Sequence, residues 1–345
     1  MKKILYMMMT AALLAACDNP LEYKPANVND ELVVNALLTV GEDWHQVYVA
    51  VSHTEYVGQV KSGELRCYVN GTQVAKTSSL VDVPDYEGGV QSRYFRFQAP
   101  FKAGDVVRIE VDADGKFAAW NEQVVPELPT VTKVDTVSVH QRSDWGEVSD
   151  CYRFDIGLRD TDAEEDDFFR IDIVNHSESV FYEDDVEIGK DSYEQSCAIF
   201  TEDDPILNEG HFSRGEMPFE IGSTNEYGIV TDNMFAGASA SLRPIVNKYS
   251  FGPGQWMDGA DKVVADIYAY VKVFSLSKPS YYYFKALNML RSGDTDLALE
   301  DVQIPDNIEG GIGFISIANP VVHKFYLGKV SYDLSYYGPN PGLPE

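Results

Sequence analysis

The densest run of ionisable side chains is Asp160-Thr161-Asp162-Ala163-Glu164-Glu165-Asp166-Asp167, six acids in eight residues. Carboxylates at alternating positions in a loop are what a calcium site is made from. This run lacks the glycine that such loops use for their sharp turn, so a solvated turn between two strands is the competing reading. Glu202-Asp203-Asp204 forms a second, smaller acidic turn. The histidines, His45, His53, His140, His176, His211 and His323, never recur at i, i+2 or i, i+4, so no zinc or copper motif is present. No Gly-x-Ser-x-Gly or other nucleophile signature occurs. We therefore assign no catalytic residue, no metal ligand and no cofactor from the sequence, and a hydrolase on a β scaffold ranks behind a binding role.

Trp256 stands apart among the aromatics. It follows Phe251-Gly252-Pro253-Gly254-Gln255, a loop shaped by glycine and proline. An aromatic ring there offers a flat contact for a sugar, a peptide or a protein partner. The alternative is that it folds back and plugs one end of a sandwich. Cys67, Cys151 and Cys197 show no Cys-x-x-Cys or zinc spacing. Cys151 and Cys197 could join in a disulfide, or all three could be small buried apolar residues.

Cys17 has a different context. Lys2 and Lys3 precede an uncharged apolar run from Ile4 to Ala16. That run is shorter than the roughly 20 residues a membrane span needs, and its flanks fit a secretory leader. It ends in Leu14-Ala15-Ala16-Cys17, which resembles the lipobox of bacterial lipoproteins. The resemblance implies a signal peptide over residues 1–16 and lipid attachment at Cys17, with several acyl chains holding the protein to a membrane. Residues 17–30, with Pro20 and Pro25, then read as a tether, and Asp18 and Glu22 loosely resemble a signal for the outer face of an outer membrane.

The rest of the 345-residue chain can build two ordinary cores. The formal charge of −28 argues against nucleic acid and anionic lipid surfaces as partners. From Leu32 the apolar residues alternate: Leu32, Val34, Ala36 and Leu38, then Val47, Val49 and Val51. Period two with β-branched residues predicts half-buried strands. Asn70-Gly71 between Arg66–Val69 and Thr72–Ala75 predicts a tight hairpin. Regularly spaced short strands predict an immunoglobulin-like β-sandwich over residues 31–127, closed by Pro126 and Pro129.

Residues 130–345 read as a larger antiparallel β domain, a sandwich or a partly closed barrel. Tyr152, Phe154, Ile156 and Leu158 share one strand face. Ala265, Ile267, Ala269, Val271 and Val273 share another. One helix is expected near residues 279–291. Ser277 can cap it, Pro279 fits its first turn, Phe284, Leu287 and Leu290 recur at helical spacing, and Gly293 supplies the stop.

Several features occur in one order along the chain. They are the lipobox, Leu32-Val33-Val34-Asn35, Ala103-Gly104-Asp105, Val125-Pro126, Tyr281-Tyr282-Tyr283, and Asn307-Ile308-Glu309-Gly310-Gly311-Ile312-Gly313-Phe314-Ile315. Together they resemble the domain-of-unknown-function-4249 lipoproteins of Bacteroidetes, and the last stretch is the most specific. The resemblance implies a two-part, β-rich outer-membrane lipoprotein, often encoded beside TonB-dependent transporters. The expectation that follows is a non-catalytic binding or accessory component of a TonB-dependent transport complex, lipid-anchored and facing the cell surface. A cell-surface adhesin or structural lipoprotein is the alternative.

Overall fold

A computed structural model describes residues 30–53, 57–84, 89–142, 148–160, 162, 164–201, 204–208, 225–254, 257–291 and 303–333. Cys17 and its leader, Trp256, and the stop at Gly293 lie outside the described residues. The chain is mostly β, as the alternation predicts, with three sheets and a helix among the described residues.

The N-terminal strands are β1 (Glu31–Thr39), β2 (His45–Ser52), the short β3 (Val57–Gly58), β4 (Gly63–Val69) and β5 (Thr72–Thr77). They continue through β6 (Leu80–Pro84), β7 (Val90–Phe97), β8 (Val106–Ala113) and β9 (Phe117–Val124). One face of the sandwich runs β1-β2-β7-β6 and the other β5-β4-β8-β9, the strand order of an immunoglobulin-type Greek key. The predicted hairpin joins β4 to β5, with Asn70 at φ 51° and Gly71 at φ 77°, the positive values a type I′ turn demands. Leu32, Val34, Leu38, Val47 and Val49 point inward against Leu65, Phe95, Val107 and Ile109. Burying each such side chain contributes about 1.5–3 kcal/mol.

The second half begins with β10 (Thr130–Arg142) and β11 (Val148–Arg159), which form a sheet with β15 (Ser239–Leu242) and β16 (Ile245–Asn247). The partner sheet holds β12 (Phe168–Glu183), β13 (Val186–Ser196), β14 (Ile229–Thr231), β17 (Lys262–Leu276) and β18 (Ile312–Asp333). Phe154, Ile156 and Leu158 face Ile171, Ile173, Ala265, Ile267, Ala269, Val271 and Val273 across this core. Both alternating runs therefore bury the faces the sequence predicts. Cys67, Cys151 and Cys197 are free thiols, so the disulfide alternative does not occur in this structure.

Strand β18 connects the two halves. Its first part pairs in parallel with β1, from Val33↔Ile312 to Thr39↔Ala318. Its remainder pairs antiparallel with β17, from Ser275↔Asn319 to Lys262↔Asp333. Ten strands thus share one sheet, and Ile308, Ile315 and Ile317 complete the N-terminal core. The linker at Pro126–Pro129 divides the chain, and β18 crosses that division. At the handover, Asn319 Nδ2 donates to the carbonyl of Pro126 at 2.8 Å.

The glycines at the start of β18 let the backbone lie tightly against its neighbours. Gly313 has φ 123°, and a Cβ there would strike the carbonyl oxygen of Val34. Cβ atoms at Gly310 and Gly311 would meet the carbonyls of Ala118 and Leu32. The most specific stretch of the sequence is thus explained by backbone packing rather than by chemistry.

Helix α1 (Lys278–Arg291) follows β17 and lies on the outer side of β18. Ser277 Oγ accepts from the Ser280 backbone N–H at 3.3 Å, as a cap should. Ser280 is buried and its hydroxyl meets that of Ser316 on β18 at 2.9 Å. Tyr281 and Phe284 are buried, whereas Tyr282 faces solvent. Leu290, expected on the packed face, is instead 39% exposed in the helix's last turn.

Candidate binding groove

Alternation on β1 and β2 has a second consequence. While Val34, Ala36, Val47 and Val49 point into the core, Asn35, Leu37, Gln46 and Tyr48 stand on the opposite face. Helix α1 covers only the β18 side of that face, through Tyr283 stacked on Phe314 at 4.3 Å and 8°. What remains is an open groove of about 490 Å³, with Tyr283 and Phe314 as one wall and Glu42 and Trp44 at one end. This volume is in the range of small-ligand clefts.

The floor is aromatic and unusually bare. Leu37 is 53% exposed, Trp44 45% and Tyr48 40%. Arg96 braces one face of the Trp44 indole, 4.2 Å from its centroid, and Tyr94 lies 5.3 Å from Tyr48. Burial, then the neighbouring Tyr94 phenol, pushes the Tyr48 hydroxyl above its ordinary value, so it remains a neutral donor. It donates to Gln46 Oε1 at 3.0 Å. Asn35 Oδ1 accepts from the backbone N–H of Phe314 at 2.9 Å. Both amides are therefore held by their oxygens, and their NH₂ groups have no partner among the described residues. Neither has the carboxylate of Glu42.

A second aromatic surface lies on the outer face of β17 and β18, and it differs in one respect. Tyr326 donates to Asp266 at 2.8 Å, Lys324 donates to the Tyr270 hydroxyl at 3.1 Å, and His176 stacks on Tyr270 at 4.6 Å. The hydroxyls of Tyr270 and Tyr326 are thus already paired.

The acidic run forms the turn between β11 and β12 and is solvated at Asp162, Glu164, Glu165 and Asp166, but not at its first residue. Asp160 is buried, its Oδ1 accepts from Asp162 N at 2.8 Å, and its Oδ2 accepts from the backbone of Gly237. Carboxylate oxygens of Asp160, Asp167 and Asp232 lie within 4.8 Å of one another. Burial, then the charge of Asp160, pushes Asp167 and Asp232 above their ordinary values. Asp232, just after β14 and far along the chain from the run, gives no sequence signal of its own. Asp162 and Asp166 stay exposed, the latter paired with Lys278 at 3.4 Å.

Of the expected site residues, Cys17 and Trp256 lie outside the described residues, so the groove is built from others. Trp44 escapes a motif search because nothing fixed surrounds it. The outward phase of Gln46 and Tyr48 is the signal that reveals the face.

A family model described as "Domain of unknown function (DUF4249)" matches residues 18–323. No curated protein matches the sequence.

Proposed function

Because the chain belongs to the DUF4249 family, which is defined without an activity, we propose that it is a non-catalytic binding component of a TonB-dependent transport complex. In this reading it is held by lipid on Cys17 at the outer face of an outer membrane. The observation that carries it is the open groove, whose aromatic floor and polar rim, unpaired among the described residues, suit capture of a ligand. Its placement also supports the reading. The groove lies where β1, β18 and α1 meet, on backbone paired on both sides, so a bound ligand would rest on a rigid floor.

The test is co-purification from outer membranes with the neighbouring TonB-dependent barrel, using the intact lipidated protein. Wild type should be retained by the barrel. Cys17→Ala should leave the membrane fraction, lose the mass of the lipid and lose the barrel. A Cys17→Ala protein that stays membrane-bound removes the anchor from the proposal, and wild type that never co-purifies with the barrel removes the complex.

A further inference from the structure

We propose that the groove lined by Asn35, Glu42, Trp44, Gln46, Tyr48 and Tyr283 binds a neutral oligosaccharide. The inference rests on the reading of this groove as the ligand site and names its ligand class.

The chemistry of the lining selects the ligand. A pyranose ring offers a C–H face and a rim of hydroxyls, each both donor and acceptor. The C–H face suits the negative face of an aromatic ring. Trp44 presents such a ring, 45% exposed, with Arg96 held 4.2 Å from its centroid over one face. Tyr48 and Tyr283 line the same space. The hydroxyl rim needs donors and acceptors side by side. The groove supplies the Asn35 and Gln46 amides as donors and the Glu42 carboxylate as acceptor, none of them matched among the described residues. Both amides are fixed through their oxygens, by Phe314 N and by the Tyr48 hydroxyl. Their donors therefore face a ligand at little ordering cost.

Other occupants fit less well. An extended peptide docks by adding a strand to an open sheet edge. Here β1 lies between β18 and β2, and β2 lies between β1 and β7, so the floor offers side chains and no free backbone edge there. An anionic ligand would meet the Glu42 carboxylate, which has no counter-charge among the described residues, on a chain of formal charge −28. The face bearing Tyr270 and Tyr326 has aromatics too, but the Tyr326 hydroxyl is spent on Asp266 and the Tyr270 hydroxyl on Lys324.

The test is native electrophoresis of the full-length protein in gels cast with dextran, glycogen, laminarin or mannan, with a gel lacking polysaccharide as reference. Retardation is expected in at least one of these gels. Trp44→Ala and Gln46→Ala should each weaken it about tenfold or more, the scale of a hot-spot loss, with melting temperatures near wild type because both side chains are exposed. No retardation in any of the four gels overturns the proposal. So does retardation that survives both substitutions, which places sugar elsewhere, or binding displaced by a casein peptide digest and not by the free oligosaccharide. The barrel co-purification is scored separately on the same preparations. Barrel retained without sugar removes only the saccharide, and sugar bound without the barrel removes only the complex.

Discussion

Asn307 and Ile315 exchange two hydrogen bonds: Asn307 Nδ2 donates to the Ile315 carbonyl at 2.8 Å, and Asn307 Oδ1 accepts from the Ile315 N–H at 2.9 Å. One side chain thus does for β18 what a strand partner does elsewhere. The Asn307 carbonyl in turn accepts from Asn121 at 2.7 Å, and Glu309 bridges to the backbone of Trp120 at 2.9 Å. These links tie the start of β18 to the far sheet of the N-terminal sandwich.

Asn307→Ala leaves the Ile315 N–H without its acceptor, while the carbonyl keeps Gln123 at 2.9 Å. We expect a loss of about 1–3 kcal/mol, read as a lower midpoint in urea at an unchanged slope. Asn307→Asp keeps an acceptor but loses the donor, and should fall between wild type and alanine.

Removing β18 should cost the N-terminal sandwich its independence. A fragment of residues 30–126 loses Ile308, Ile315 and Ile317 from its core and leaves the β1 backbone unpaired on one side. The expected result is a broad melt without a cooperative transition. Adding residues 303–320 through a flexible linker should restore one.

The crowded carboxylates make a pH prediction. Asp167 and Asp232 have raised values in the folded chain, so the fold binds protons more readily than the unfolded chain just above the usual carboxylate range near pH 4. Below that range the two carboxyls are uncharged, and neither burial nor repulsion costs anything. As pH rises through it they become charged, burial first and then mutual repulsion penalise the charge, and stability falls. Asp167→Asn, measured in EDTA, should match wild type in acid and exceed it at neutral pH. The gain should be about 0.5 kcal/mol, because solvent screens a partly exposed group.

The buried thiols make another. Burial pushes Cys67 up to about 12 and Cys197 up to about 11. Thiolates are the reactive form. Iodoacetamide at about pH 8 should leave Cys67 of the folded protein unmodified. After unfolding without reductant, all of Cys67, Cys151 and Cys197 should be alkylated, which a mass spectrum reads directly.

Much of the fold was legible because a strand writes its period into the chain. Ala265 through Val273 alternate over one face, and Asn70-Gly71 specifies its own turn. The partnership of β1 with β18 was not legible, since pairing between distant strands leaves no local pattern. The glycines at 310, 311 and 313 mark a close approach of backbone but do not name the strand approached. The groove falls between these cases. Gln46 and Tyr48 betray an outward face by their phase, while the wall formed by Tyr283 depends on where α1 docks. The aromatic chemistry expected of Trp256 is offered, among the described residues, by Trp44, which lies in a turn with no Gly-Pro marking.

Asn35 meets Phe314 across 279 residues of chain. At translation rates of about 5–20 residues per second, the N-terminal strands wait on the order of 15 to 60 s for the segment that completes them. Through that interval the early half has a hydrophobic face that its closing strand has yet to complete. The same interval exposes it to aggregation, so a chaperone that holds unfolded chains has its natural client in the nascent β1–β9 region. Among the described strands, the last to be made is the one that locks the first.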